Sequence, residues 1–133
     1  MKKIFKGFTL IELLVVISII GVLASVVVAN FITTQKQARD ASRKTAIKNG
    51  EATFEQYFTE TGAYPVGQTQ INTAFSPGAQ PKDPKDPTTQ LNWTSTVTTY
   101  CICAILETGK GNASNTACTW SAGGSYYCAV NKQ

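Results

Sequence analysis

The chain has 133 residues, 43% hydrophobic and 15% charged, with a mean hydropathy near zero; on average it describes one modest domain of ordinary make-up. Its 12 Lys and Arg against 8 Asp and Glu give +4, but Lys2, Lys3 and Lys6 lie before residue 8. What remains is nearly neutral and without a basic stripe, so no nucleic-acid partner is expected. Histidine is absent, which removes the commonest general base and metal ligand; no catalytic residue and no cofactor are expected.

The averages conceal a segregation along the chain. Residues 13–32 run without a charge and are dominated by Val, Ile and Leu. As a helix rising 1.5 Å per residue they would cover about 30 Å, the thickness of a bilayer's hydrocarbon core. In lipid the helix satisfies its own backbone groups, so the β-branched content does not make this a strand. The preceding lysines place the N-terminus in the cytoplasm and everything beyond residue 33 outside. Glu12 lies within the apolar stretch 8–32, where a carboxylate costs on the order of 2.5 to 3.5 kcal/mol near the middle of a membrane helix and less toward an end. A plain anchor, a secretory signal or a buried core helix has no use for it. Such a group needs a partner, and the candidate is a positive charge from another copy of the chain.

The run Lys6-Gly7-Phe8-Thr9-Leu10-Ile11-Glu12-Leu13-Leu14-Val15-Val16 resembles the class III signal of type IV pilins and pseudopilins: a short basic leader, Gly, Phe, and a Glu at the fifth position after the cut. The resemblance implies that a prepilin peptidase cleaves between Gly7 and Phe8, removing the leader 1–7, and methylates the new amine of Phe8. The apolar helix would then stay on the mature chain. Glu12 of an incoming subunit would neutralise the Phe8 amine of a subunit already in the filament; in low dielectric a register that leaves either charge alone is penalised. The family often carries a proline farther along this segment, where the chain reads Val28-Ala29-Asn30. An ordinary signal peptide cut after Ala29 is the competing reading, opposed by Glu12, by the length of the apolar run and by Gly7-Phe8.

Residues 33–61 contain no proline and are rich in Gln, Lys, Arg, Ala and Glu, which continues the helix. Ile47, Gly50, Phe54, Tyr57 and Phe58 form a narrow apolar stripe for a small head, flanked by Lys44, Lys48, Glu51 and Glu55, with Lys48 and Glu51 as one favourable pair. Gly62 stops the helix and Pro65 prevents its resumption, so a single helix from about Thr9 to Thr61 would be ~80 Å long. Thr61-Gly62-Ala63-Tyr64-Pro65 and Pro81-Lys82-Asp83-Pro84 resemble the post-helix turn and proline loop of major type II secretion pseudopilins. Apart from that resemblance, residues 77–87 read as a loop held extended by four prolines. Major pseudopilins also carry an acidic C-terminal calcium loop, whereas residues 121–133 contain no Asp or Glu; no metal site is carried over.

Strands are expected at 91–97, 99–106 and 125–131. The four cysteines, Cys101, Cys103, Cys118 and Cys128, lie in the exported part and read as two disulfides, since their spacing lacks the paired knuckles of a zinc site. Of three connectivities, Cys101–Cys128 nested outside Cys103–Cys118 is the simplest. Asn92-Trp93-Thr94 and Asn112-Ala113-Ser114 match the glycosylation sequon, and Trp93, Trp120, Tyr126 and Tyr127 are candidates for core packing or an adhesive patch.

The expected fold is α+β: a long N-terminal helix, membrane-spanning over 8–32 and amphipathic over 33–61, packed on a small disulfide-bonded antiparallel sheet in a head spanning 62–133. The expected function is structural, a subunit that polymerises through its helix into a type IV pilus for adhesion, motility or DNA uptake. A major pseudopilin of type II secretion is the alternative, and a membrane-anchored extracellular binding module the rival of another class. Implied partners are other copies of the chain, the prepilin peptidase, an assembly platform protein and ATPase, and the membrane before assembly.

Overall fold

The computed structural model describes residues 7–76, 80–89 and 91–132; Lys2, Lys3 and Lys6 of the expected leader, and Pro77 of the proline loop, lie outside them. A 52-residue helix, α1 (Leu10–Thr61), runs through both compact units of the chain, residues 1–35 and 36–133. In the first unit every large apolar side chain described is exposed; Val16, the most covered, is still 46% accessible. Covering such side chains is worth about 1.5–3 kcal/mol each, on the order of tens of kcal/mol for the segment, so this stretch requires lipid or other helices around it. By length and composition it can cross a membrane.

In the second unit α1 buries Asp40, Arg43, Ile47, Gly50 and Phe54. Their alternating spacings of three and four residues set them on one stripe of the helix. The stripe is apolar only in its C-terminal part. The helix ends at Gly62, whose φ of +78° is the left-handed conformation of a glycine C-cap and whose N–H donates to the Phe58 carbonyl at 2.7 Å.

A short helix follows, α2 (Gly67–Ala74), then five strands: β1 (Asn92–Ser95), β2 (Tyr100–Ile105), β3 (Gly111–Ala113), β4 (Trp120–Gly124) and β5 (Tyr126–Val130). They form one antiparallel sheet in the order β1-β2-β5-β3-β4. The core lies between residues 36–61 of α1, α2 and the sheet. Phe54 is central, edge-on to Tyr100 at 5.2 Å between ring centroids and tilted against Trp93 at 5.8 Å. Gly50 is where the indole approaches the helix. A Cβ there would overlap Trp93 Cζ3 and lie 2.8 Å from Cη2 and 3.2 Å from Ile102 Cδ1.

Three expected strands appear as β1, β2 and β5, trimmed at their ends, while α2, β3 and β4 were not anticipated. Gly67 to Ala74 lacks strong helix formers at most positions. The helix is held by the burial of Ile71 and by Gln70, whose side-chain oxygen accepts the Val66 N–H at 2.7 Å. β3 and β4 are short and glycine-bearing, with β4 almost wholly exposed, so no apolar alternation marks them. The proline loop is not simply extended. Asp83 Oδ1 accepts the N–H groups of Lys85 and Asp86 at 2.8 and 3.3 Å, and Asp86 accepts those of Thr88 (backbone and hydroxyl) and the Thr89 hydroxyl, so the loop turns around two aspartates.

Candidate functional site: the processing motif, its helix and the head that follows

Gly7, Phe8 and Thr9 precede the helix in irregular, exposed backbone, with Phe8 77% accessible, so the Gly7–Phe8 bond stands clear of the first helical turn. Thr9 opens the helix. Its backbone N–H and its hydroxyl both donate to Glu12 Oε2 at 2.9 Å, and the Glu12 N–H donates back to the Thr9 hydroxyl at 3.2 Å. This is a reciprocal capping box, which satisfies amide groups that the first turn leaves unpaired. Glu12 therefore has a local role besides any intersubunit one, and the Thr9-x-x-Glu12 pattern signals it in the sequence. Among the described residues no cation pairs with Glu12.

In the head the polar end of the buried stripe forms a charged network. Arg43 donates from Nε and Nη2 to the two Asp83 oxygens at 2.7 and 3.0 Å, and from Nη1 to Asp40 and Glu107 at 3.0 Å each. Arg39 grips the two oxygens of Glu107 at 2.7 and 2.8 Å. Asp40 accepts the N–H groups of Glu107 and Thr108 at 2.9 Å each and the Thr108 hydroxyl at 2.6 Å. Two carboxylates from loops thus clamp α1 to the proline loop and to the β2–β3 connection. The Arg39 hydrogen bonds hold Glu107 down to about 2, and those from Arg43 hold Asp83 below the usual carboxylate range. For Asp40 burial pushes upward, but the bonds from Thr108, Glu107 and Arg43 outweigh it and the net shift is downward. The Asp83 carboxylate, outweighing the opposing effect of burial, raises the pKa of Arg43.

Sequence reasoning did not single out Asp40 or Arg43; their place seven and four residues before Ile47 is the signal that would have put them on the buried stripe. The expected Lys48–Glu51 pair is not among the ion pairs of the described residues. Glu51 meets Lys132 at 2.9 Å instead, and Glu55 accepts the Tyr64 and Tyr100 hydroxyls at 3.2 and 3.0 Å. Of the four candidate aromatics, Trp93 and Tyr127 pack against the core and Tyr126 against the cysteines, leaving Trp120 at the surface, 56% accessible. The Asn112 amide is engaged with both the carbonyl and the N–H of Cys128 at 3.0 and 2.8 Å, while Asn92 is exposed on β1.

The cysteines pair as Cys101–Cys118 and Cys103–Cys128, not in the nested arrangement expected from the strand pattern. Register is the reason: β2 and β5 set Cys103 directly opposite Cys128, whereas Cys101 faces Val130 and is met instead by Cys118 from the loop before β4. All four sulfurs lie within 4.8 Å of one another. They face backbone carbonyls, Thr116 at 3.2 Å from Cys101 Sγ and Asn115 at 3.6 Å from Cys128 Sγ, and such a shell opposes the thiolates that a metal would need.

The family described as "Prokaryotic N-terminal methylation motif" matches residues 2–28. The type IV major pilin protein PilA of Myxococcus xanthus is 39% identical over 69 residues, covering 52% of this chain and 31% of that protein. The type II secretion system core protein G of Dickeya chrysanthemi is 30% identical over 86 residues, 65% of this chain and 56% of that one. The type IV wide pilus major component PilA4 of Thermus thermophilus is 42% identical over 67 residues, half of each chain. The chain thus spans between about a third and just over half of these relatives' own length. With the methylation motif at the head of an exposed apolar helix and relatives of both kinds, the chain is similar to type IV pilins and to type II secretion pseudopilins.

Proposed function

We propose that the chain is a structural subunit that polymerises through residues 8–32 into a type IV pilus. The observation that carries this reading is the uncovered apolar helix behind the Gly7-Phe8 motif: it is stable in a membrane and equally suited to the core of a bundle of identical helices. Before assembly the chain spans the cytoplasmic membrane once, with its C-terminus outside. The prepilin peptidase removes residues 1–7 and methylates Phe8; a platform protein and a cytoplasmic ATPase then drive assembly into a cell-surface fibre for adhesion, motility or DNA uptake. The subunit itself performs no catalysis.

In this reading Glu12 works twice. Within the subunit it closes the Thr9 capping box through one oxygen, Oε2. Its other oxygen faces the N-terminal amine of Phe8 on a neighbouring subunit, and in low dielectric the pairing selects one axial stagger. Glu12→Val is expected to insert in the membrane at normal levels and assemble few filaments, as counted by electron microscopy of sheared material. Glu12→Gln, which keeps the capping acceptor but not the charge, separates the two roles. Assembly as poor as in Glu12→Val supports the charge pairing, and normal assembly by Glu12→Gln overturns it.

A periplasmic secretion pseudopilus is the second reading, favoured by Thr61-Gly62-Ala63-Tyr64-Pro65 and Pro81-Lys82-Asp83-Pro84 and by similarity to core protein G over 65% of the chain. It predicts a secretion defect without loss of surface fibres when the chain is deleted.

A further inference from the structure

The two disulfides differ in exposure. Cys103 and Cys128 are 1% and 3% accessible, whereas Cys101 and Cys118 are half-buried and open to solvent. Yet the pairs touch: Cys103 Sγ is 3.6 Å from Cys101 Sγ and 3.8 Å from Cys118 Sγ. Cys118 also holds a φ of +56°, a left-handed conformation unfavourable for a non-glycine residue, which its bond to β2 helps to maintain. We propose that the cluster is a thiol–disulfide exchange site, entered by a low-molecular-weight thiol at Cys101, in which a two-electron reduction moves the loop cysteine from Cys101 to Cys103.

The chemistry proceeds in three balanced steps. An external thiolate attacks Cys101 Sγ, forming a mixed disulfide there and breaking the Cys101–Cys118 bond, so that Cys118 leaves as thiolate. The carbonyl nearest to Cys118 Sγ, Ala129 at 3.8 Å, is farther away than those nearest to Cys101, Cys128 and Cys103, at 3.2, 3.6 and 3.7 Å, and relaxation of the Cys118 backbone frees it to turn. It attacks Cys103 Sγ, forming Cys103–Cys118 and expelling Cys128, which takes a proton from water. A second external thiolate attacks the mixed disulfide at the external sulfur, releasing Cys101 and the oxidised external disulfide. In sum, two thiols become one disulfide and the chain gains two thiols.

Both product thiols sit beside an acceptor. In the disulfide form Cys101 Sγ lies 3.2 Å from the Thr116 carbonyl and Cys128 Sγ 3.6 Å from that of Asn115, so a thiol released at either position has an acceptor within reach. Those carbonyls keep the thiols protonated, which makes them poor nucleophiles for the reverse reaction and drives the exchange forward. Cys101 and Cys103 lie two residues apart on one face of β2, so the loop between β3 and β4 shifts its anchor by about 6–7 Å while the head remains cross-linked. The buried disulfide is thus reached only through the exposed one.

The full chain in detergent, treated with limiting reduced glutathione, quenched in acid and alkylated, tests this by peptide mass spectrometry of the species retaining one disulfide. The expected species has Cys101 and Cys128 alkylated and Cys103 joined to Cys118. Alkylation of Cys101 and Cys118 with Cys103–Cys128 intact, or any other pattern, overturns the proposal. A Cys101→Ser, Cys118→Ser double variant supplies the second measurement. Its Cys103–Cys128 bond should survive a glutathione concentration that opens that bond in the natural chain, and reduction at the same concentration contradicts the relay.

Discussion

Gly50 occupies the middle of a helix where alanine would be favoured by about 1 kcal/mol, and the reason is the Trp93 indole lying against its Cα. Both clashing atoms belong to a ring fixed between Phe54 and Phe75, so it cannot swing aside. Gly50→Ala is therefore expected to destabilise the head by about 1–3 kcal/mol despite its better propensity. Thermal unfolding of the full chain in detergent checks this, and an unchanged or raised midpoint contradicts it. At the other end of the helix, Glu12 closes a capping box in the structure and has a second role in the proposed assembly. The capping box explains why a carboxylate is tolerated there locally, whereas only the assembly reading asks for its charge.

The element that binds the head together is the polar end of the α1 stripe. Asp83→Asn removes a charge from a nearly fully buried guanidinium and should cost on the order of 3 kcal/mol, less if Asp40 and Glu107 take up the slack. The same network sets a pH dependence. Asp40, Asp83 and Glu107 have lowered folded-state pKa values, so their contribution is complete above the unfolded carboxylate range and is lost as pH falls through the folded values. The unfolding midpoint should fall steeply from about pH 4.5 to about pH 2, where Glu107 titrates, and less steeply in Asp83→Asn. A flat profile over that window contradicts the assignment.

Much at this scale was legible beforehand. The long helix, its stop at Gly62 and strands β1, β2 and β5 follow from periodicity, composition and turn residues. The charged half of the buried stripe was not, because Asp40 and Arg43 join it only when their register with Ile47 is followed. Nor were β3 and β4, whose glycines and exposed faces leave no alternation to detect, and with them went the route by which Cys118 reaches Cys101. The proposed processing and assembly residues rest on no fold at all: Gly7, Phe8 and Glu12 are read from type and order alone.

For the whole molecule, the near-zero mean hydropathy is the sum of a helix segment that only lipid or other helices can cover and a head with its own core. Most of the formal +4 belongs to a leader that the account removes, leaving nine basic against eight acidic residues on the subunit. The intact mass and N-terminal sequence of the chain in sheared surface filaments test that account most directly. It predicts filaments dominated by a chain that begins at N-methylated Phe8 and carries two disulfides. A chain that begins at Met1 or Asn30, or that is absent from surface filaments, would contradict it.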